Sequence, residues 1–374
     1  MGGAFSLGRI FGIQFRIHYS WFIIFLLITG SLSWQYFPYT YPEWSELTYW
    51  LTGIATSLLF FTSVVAHELA HSLVGRANGI PVKSITLFLF GGVAHMTREA
   101  TRHGAELRMA LAGPLASLVI GGIFFGLHLL LQSVSEPVAA LAFWLAQINV
   151  VLALFNLIPG FPLDGGRVFR SLLWRFSGNY QRATRIAFEV GRGVGYLFVA
   201  GGVILMFLYR ENWFNGLWLA FIGIFLTYMA TASYRQTQWQ AALMGVKVAD
   251  VMMTTCPVIS PYMTVSRVVQ DYIFIRGHQC FMVTDGGELK GILTLRNIKS
   301  VDQKTWDTTA VSDVMTPAER LRVTHMDEEV LSVLEQMEEY SISHIPVVSE
   351  GRIIGLVTRD DVLRLLYTRS RLGI

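Results

Sequence analysis

Within SVVAHELAHSLVGRANG, residues 63–79, His67 and His71 stand one helical turn apart, with Glu68 beside the first. In a helix both imidazoles project from one face, where two neutral rings can hold one metal ion. Glu68 then lies beside the ion rather than on it, placed to take a proton from a water that the ion acidifies. A catalytic zinc commonly takes three protein ligands and keeps one position open, so a third ligand has to come from elsewhere in the chain. The strongest candidate is Asp164 in NLIPGFPLDGGR, residues 156–167, where Pro159, Pro162, Gly165 and Gly166 break the helix and can turn a carboxylate back toward its neighbours. His95, His103 and Glu106 compete for the role: His95 could equally be a polar tip of an extended segment, and the other two are expected near the lipid headgroups. A bare H-E-x-x-H can also be a hydrogen-bonded histidine pair in a packing core. Inside an apolar span that alternative weakens, because buried ionisable groups are costly and need a partner.

The elements that must position these residues are apolar. Hydrophobic residues make up 53% of the 374, charged ones 15%, and mean hydropathy is +0.47. The last third is much richer in charge, so an apolar front part and a polar back part are expected. Six segments approach the roughly 20 apolar residues that a spanning helix needs. They run 17–33, 50–76, 104–131, 137–158, 193–210 and 213–234. The loops at 34–49, 132–136 and 211–212 carry no Lys or Arg, whereas 76–108 and 159–192 are rich in Arg, and Arg210 is a mild exception. By the positive-inside rule both termini are cytoplasmic in a multi-pass cell-membrane protein, with the lipid bilayer as its first partner. Basic residues precede the first apolar run without a small-residue cleavage site, which predicts a retained span rather than a signal peptide. The net charge of +3 is too slight to argue for a nucleic-acid partner, and two cysteines, Cys256 and Cys280, offer neither a disulfide framework nor a cysteine-rich zinc site.

PVKSITLFLFGGVAHM, residues 81–96, is too short to span and reads as a bent pair of short strands with Gly91 and Gly92 at the bend. At membrane depth such backbone must be covered by protein or border a wet cavity; otherwise it is a surface hairpin. Its edge could pair with an unwound substrate segment by strand addition. The small residues of ALAGPLASLVIGG, 110–122, read as helix packing.

From residue 246 the chain repeats itself. VADVMMTTCPVIS is answered by VSDVMTPAERLRV, and FMVTDGGELKGILTLRNI by IPVVSEGRIIGLVTRDDV, at an offset of 63 or 64 residues. Two copies of one α/β unit packed on each other are expected, each with a helix, a strand, a glycine turn, a second strand and a closing helix.

HELAH at 67–71, FGGVAHM at 90–96, AGPLAS at 112–117 and FNLIPGFPLDGGR at 155–167 together resemble the site-2 protease family of intramembrane zinc metalloproteases. The resemblance implies one zinc ion per chain on His67, His71 and Asp164, with Glu68 activating the water that attacks a peptide bond in a membrane-spanning protein substrate. It also implies a substrate-binding role for Asn156, whose alternative is a helix–helix hydrogen bond; Gly91 and Gly92, on the edge that could pair with substrate, are the other substrate-binding candidates. The repeats resemble paired cystathionine-β-synthase-type (CBS) domains, which some prokaryotic members of that family carry. In that motif Thr358 and Asp361 of GLVTRDD hold the phosphate and ribose of an adenine nucleotide; Arg359 and His344 could help neutralise phosphate or be plain surface residues. In the first copy, GILTLRN, Thr294 is kept but Asn297 replaces the carboxylate. The tandem could instead be a dimerisation module joining two chains, or a docking module. The expected fold is a polytopic α-helical membrane protein of about six transmembrane helices with a short membrane-associated β element, followed by an α/β CBS tandem. Its expected divisions are 1–235 for the protease domain, 236–247 for a linker, and 248–305 and 311–370 for the two CBS domains. The competing function is a CBS-regulated membrane channel or transporter, which predicts polar residues along a transmembrane route; the spans instead gather their ionisable residues into one metal-like cluster.

Overall fold

The computed structural model describes residues 4–88, 91–96, 100–208, 213–254, 256–275, 277–340, 342–349 and 352–372. The chain divides into two compact units, 1–234 and 235–374.

The first unit opens with a hairpin, β1 (Ala4–Ile10) against β2 (Ile13–His18), turning at Phe11 and Gly12, both at positive φ (51° and 80°). β2 alternates strictly: Ile13, Phe15 and Ile17 are buried, while Gln14, Arg16 and His18 point away. The first apolar run was expected to begin its helix at residue 17, but Ile17 and His18 complete this strand and α1 (Ser20–Ser31) starts after them. A π-helical turn carries α1 into α2 (Phe37–Thr40). α3 (Glu46–Ala77) is capped by Ser45, whose Oγ accepts the Thr48 N–H at 3.3 Å. Next come β3 (Val82–Phe88) and β4 (Gly91–Met96), paired antiparallel as the bent segment predicts, although residues 89 and 90 fall outside the described residues. β2 and β3 pair in parallel, giving one sheet in the order β1-β2-β3-β4. Its core of Ile13, Phe15, Val82 and Ile85 packs on Val65 and Leu69 of α3, one just before the H-E-x-x-H turn and one within it.

The remaining helices are α4 (His103–Leu131), α5 (Glu136–Asn156), α6 (Asp164–Ser177), α7 (Tyr180–Leu208) and α8 (Trp213–Leu243). Among the described residues, six helices or helix runs are long and apolar enough to cross a membrane: Ser20–Thr40, Glu46–Ala77, His103–Leu131, Glu136–Asn156, Tyr180–Leu208 and Trp213–Trp239. Large apolar side chains such as Leu26, Ile123 and Leu197 point outward, as lipid requires. The chain is thus a multi-pass membrane protein with a small β-sheet beside α3.

The second unit holds the repeat. In the first copy β5 (Val258–Ile259), α9 (Val265–Val268), β6 (Cys280–Asp285), β7 (Glu288–Thr294) and α10 (Leu295–Lys299) follow one another; α11 (Val311–Val314) and β8 (Thr316–Pro317) open the second copy, and β8 closes the first copy's sheet in the order β5-β6-β7-β8. The second has α12 (Val330–Glu339), β9 (His344–Ser349), β10 (Arg352–Thr358) and α13 (Arg359–Leu372). The cores do not follow the sequence repeat. Val246 and Val248, leading into the first copy, are buried with Val330, Ile345 and Val357 of the second, while Val311 is buried with Val265, Phe281 and Leu293 of the first. Each copy's leading segment completes the other's core.

Candidate metal centre

α3 presents His67 and His71 on one face, both buried, at 4% and 6% exposure. Asp164 arrives from a different part of the chain: α5 ends at Asn156, the chain turns through Pro159 to Leu163, and α6 begins at Asp164. That turn is tight because Gly165 and Gly166 lie on the loop backbone, where a Cβ would collide with the carbonyls of Leu157 and Ile158 and with Gly160 and Phe161. Three ligand atoms converge. Asp164 Oδ2 lies 3.2 Å from His67 Nε2 and 3.0 Å from His71 Nε2, and the two nitrogens are 3.2 Å apart. Ligand atoms on one tetrahedral ion at about 2.0–2.1 Å are roughly 3.3–3.4 Å apart, so the triangle has the right size for one metal ion.

The outer ring nitrogens decide which atoms face inward. His71 Nδ1 is 2.7 Å from the Met109 carbonyl, which can only accept, so His71 carries its proton there and turns the Nε2 lone pair inward. His67 Nδ1 is held by Ser117 Oγ at 2.9 Å. An Nε2 facing a carboxylate oxygen needs a metal ion or a proton between them, and two imidazoles sharing one carboxylate oxygen form a donor set that fits a metal ion. The space is kept open by glycine: a Cβ on Gly113 would fall against His71 Nε2 and within 2.7 Å of His67 Nε2. Met109, Gly113 and Ser117 all lie on α4. The sequence offered AGPLAS as a packing motif, and packing is part of its role; that its serine and glycine also border the imidazoles follows only from which face of α4 meets α3.

Glu68 is half-buried and stands beside β4, where a Cβ on Gly92 would meet Glu68 Cδ at 2.9 Å. Gly91 begins the same edge strand at φ 123°. Asn156 closes α5, half-buried, and is not one of the three converging residues. Of the competing ligands, the side chain of His95 lies outside the described residues. His103 begins α4 and its ring lies edge-on to Trp174 at 6.1 Å. Glu106 is fully buried and paired with Arg170.

The sequence matches the profile of peptidase family M50 over residues 55–137 and 130–198, and that of the CBS domain over 248–304 and 311–368. Rip3 of Mycobacterium tuberculosis, which bears a zinc-metalloprotease name, is 36% identical over 98% of this chain and 93% of its own. The chain belongs to peptidase family M50. It is a zinc metalloprotease of the site-2 type with a C-terminal CBS tandem. A second relative with a zinc-metalloprotease name, sll0528 of Synechocystis, is 34% identical over 99% of this chain and 98% of its own. Among solved structures, the site-2 protease of Methanocaldococcus jannaschii is 28% identical, at a TM-score of 0.43, and covers 62% of this chain and 95% of its own. The relatives extend through the CBS repeats, so metalloprotease and tandem belong to one protein type, and the channel reading is not favoured.

In this M50 protease the CBS unit has a cavity of about 630 Å³ between its two copies. Thr294, Asn297 and Thr358 line it, together with Arg296, Arg320, Arg322, Arg359 and His344. The predicted nucleotide residues are also tied up locally. Thr358 Oγ1 donates to Asp361 Oδ2 at 2.5 Å and accepts the Asp361 N–H at 3.2 Å; Thr294 Oγ1 donates to Asn297 Oδ1 at 2.6 Å. Both pairs cap the helix that follows, α13 and α10, so T-x-x-D and T-x-x-N have a complete structural role of their own. Asp360 lines the cavity, whereas Asp361 is held against Thr358 at 9% exposure. Burial pushes His344 below the ordinary histidine range, against an upward pull from Asp360 and Asp361. The Cys280 thiol is pushed up to about 12, mainly by burial, so it is inert rather than nucleophilic.

Proposed function

We propose that His67, His71 and Asp164 hold one zinc ion and that Glu68 is the general base of an intramembrane endopeptidase that cleaves membrane-spanning protein segments. The convergence of one carboxylate oxygen and two imidazole nitrogens at 3.0–3.2 Å, with Glu68 adjacent, carries the reading. Zinc supplies Lewis acidity when bound, polarising the scissile carbonyl and making a water acidic enough to lose its proton near neutral pH. The chain's residues do the rest. Ser117 and Met109 hold the two imidazoles with Nε2 inward, Glu68 takes the proton and returns it to the leaving amine, and apolar helices limit water to the cytoplasmic side. A helical substrate must unwind before its carbonyl is accessible, and the β4 edge at Gly91 and Gly92 gives the unwound segment a strand to pair with next to Glu68. Asn156 donates a further hydrogen bond to that segment.

The regulatory part of the proposal is that the basic cavity of the CBS tandem takes an adenine nucleotide. Its arginines neutralise phosphate, with Thr294, Asn297, Thr358 and Asp361 at its rim or behind it. Pairing of tandems from two chains is the accompanying expectation, as is a cell-membrane location with both termini cytoplasmic.

Zinc content and cleavage of a membrane-spanning peptide by the purified chain, compared with Glu68→Gln, test the central claim. The variant is expected to retain zinc and lose about 10²–10⁴-fold in cleavage, the usual contribution of a general base. Undiminished cleavage would remove Glu68 from the chemistry. His67→Ala and Asp164→Ala are expected to lose the metal itself.

A further inference from the structure

Arg170 of α6 is 1% exposed and Glu106 of α4 has no exposed surface. Their side chains pair directly, with Arg170 Nε donating to Glu106 Oε1 at 2.7 Å and Nη2 reaching the same oxygen. The guanidinium also lies 4.9 Å from the ring centroids of Phe161 and Tyr180. One side chain therefore touches the loop before α6, the start of α7 and the first turn of α4. The next residue adds a second tie between the same helices, as Ser171 Oγ donates to the His103 carbonyl at 2.6 Å.

What these helices carry gives the pair its meaning. α6 begins with Asp164, and α4 holds Met109, Gly113 and Ser117, which orient and make room for the two imidazoles. A buried ion pair is a poor means of mere cohesion, since apolar residues of similar volume hold two helices as well or better. A planar guanidinium on a carboxylate adds direction, fixing rotation as well as separation.

We propose that the Arg170–Glu106 pair is a positioning device for the third ligand: it sets the rotation and depth of α6 against α4 so that the Asp164 carboxylate meets His67 and His71. The proposal rests on the zinc reading of those three residues, and neither Arg170 nor Glu106 touches the reacting atoms.

The test uses full-length protein in detergent. Zinc affinity is measured by competition with a chromogenic chelator, and the visible absorption of the cobalt(II)-substituted protein is recorded. Variants are Glu106→Gln, Arg170→Gln, Arg170→Lys, and Glu106→Leu combined with Arg170→Met. Glu106→Gln and Arg170→Gln are expected to weaken zinc about 10–100-fold, as loss of outer-shell support does, and to alter the cobalt bands. Arg170→Lys should recover part of the affinity. The apolar double variant should melt like the wild type yet bind zinc as weakly as the single variants, which separates positioning from cohesion. Wild-type affinity and cobalt spectrum in the double variant, or in both single variants, would overturn the proposal and leave the zinc site standing. A wild-type protein that binds no zinc would overturn the zinc reading and this proposal together. Should the single Gln variants fail to fold, the double variant and Arg170→Lys decide.

Discussion

In the membrane unit, Asp164 meets two histidines that lie 97 and 93 residues away in the chain, whereas in the CBS unit Thr358 and Asp361 satisfy each other within one helical turn, as do Thr294 and Asn297. The first arrangement has no local purpose. No helix needs a carboxylate from another helix against two inward-facing imidazole nitrogens, a grouping that calls for a metal ion or a proton among the three atoms. The second would form for capping alone. Polar residues brought together against their local interest say more about chemistry than a motif that also completes its own helix. For the same reason the basic cavity supports the proposed nucleotide of the CBS unit more than the motif does.

Substitutions that act on each side of this contrast can break it or sharpen it. The largest effect is expected from Gly113→Ala, since the added methyl enters the space beside both Nε2 atoms. Zinc affinity should fall beyond the roughly 100-fold that loss of an outer hydrogen bond costs. Zinc bound at full strength would mean that the three donors converge elsewhere than the structure has them. Ser117→Ala removes only the partner of His67 Nδ1 and should weaken zinc by about 10-fold in the same titration.

On the CBS side, Thr358→Ala should loosen the first turn of α13 by about 1 kcal/mol, a typical cap loss, read as faster hydrogen exchange at the Asp361 amide. If ATP titrated into full-length protein loses no more affinity than this loosening explains, the threonine is a cap and the arginines carry the ligand. The smallest effect concerns pH. His344 has a depressed pKa in the folded chain, so as pH falls below the ordinary 6.5 the unfolded chain takes up the proton first and stability is lost until the folded value is passed. The wild type should therefore lose more thermal stability than His344→Gln between neutral and mildly acid pH.

Much of this was legible in the sequence where a signal is local. Hydropathy gave the six spans, H-E-x-x-H the paired histidines, and the glycine- and proline-rich segment after α5 pointed to Asp164. The β1–β2 hairpin is hidden, although Ile13, Phe15 and Ile17 alternate with Gln14, Arg16 and His18, because Arg9 and Arg16 make the segment look like the basic flank of the first span, in which Ile17 and His18 already fall. Ser117, Gly113 and Met109 could not be assigned to the site, since that requires knowing which face of α4 meets α3. Arg170 counted only as loop charge for topology, and its burial against Glu106 depends on α6 folding back. The exchange of leading segments between the CBS copies was likewise hidden, because a sequence repeat fixes a period and leaves open which copy each strand or segment completes.

The parallel pairing of β2 with β3 has a consequence for biogenesis. Gln14 pairs with Ser84 and Ile17 with Leu87, and between these strands the chain runs through two candidate spans. The two crossings return the chain to the side it left, which is why the strands can meet at all. The N-terminal hairpin emerges first yet must wait for both spans to be inserted before its neighbour is synthesised. Only then can β4, laid against β3, be brought beside Glu68. During insertion the nascent protease lacks the sheet that borders Glu68, so the wall proposed to receive a substrate is among the last parts of the front unit's first half to be assembled.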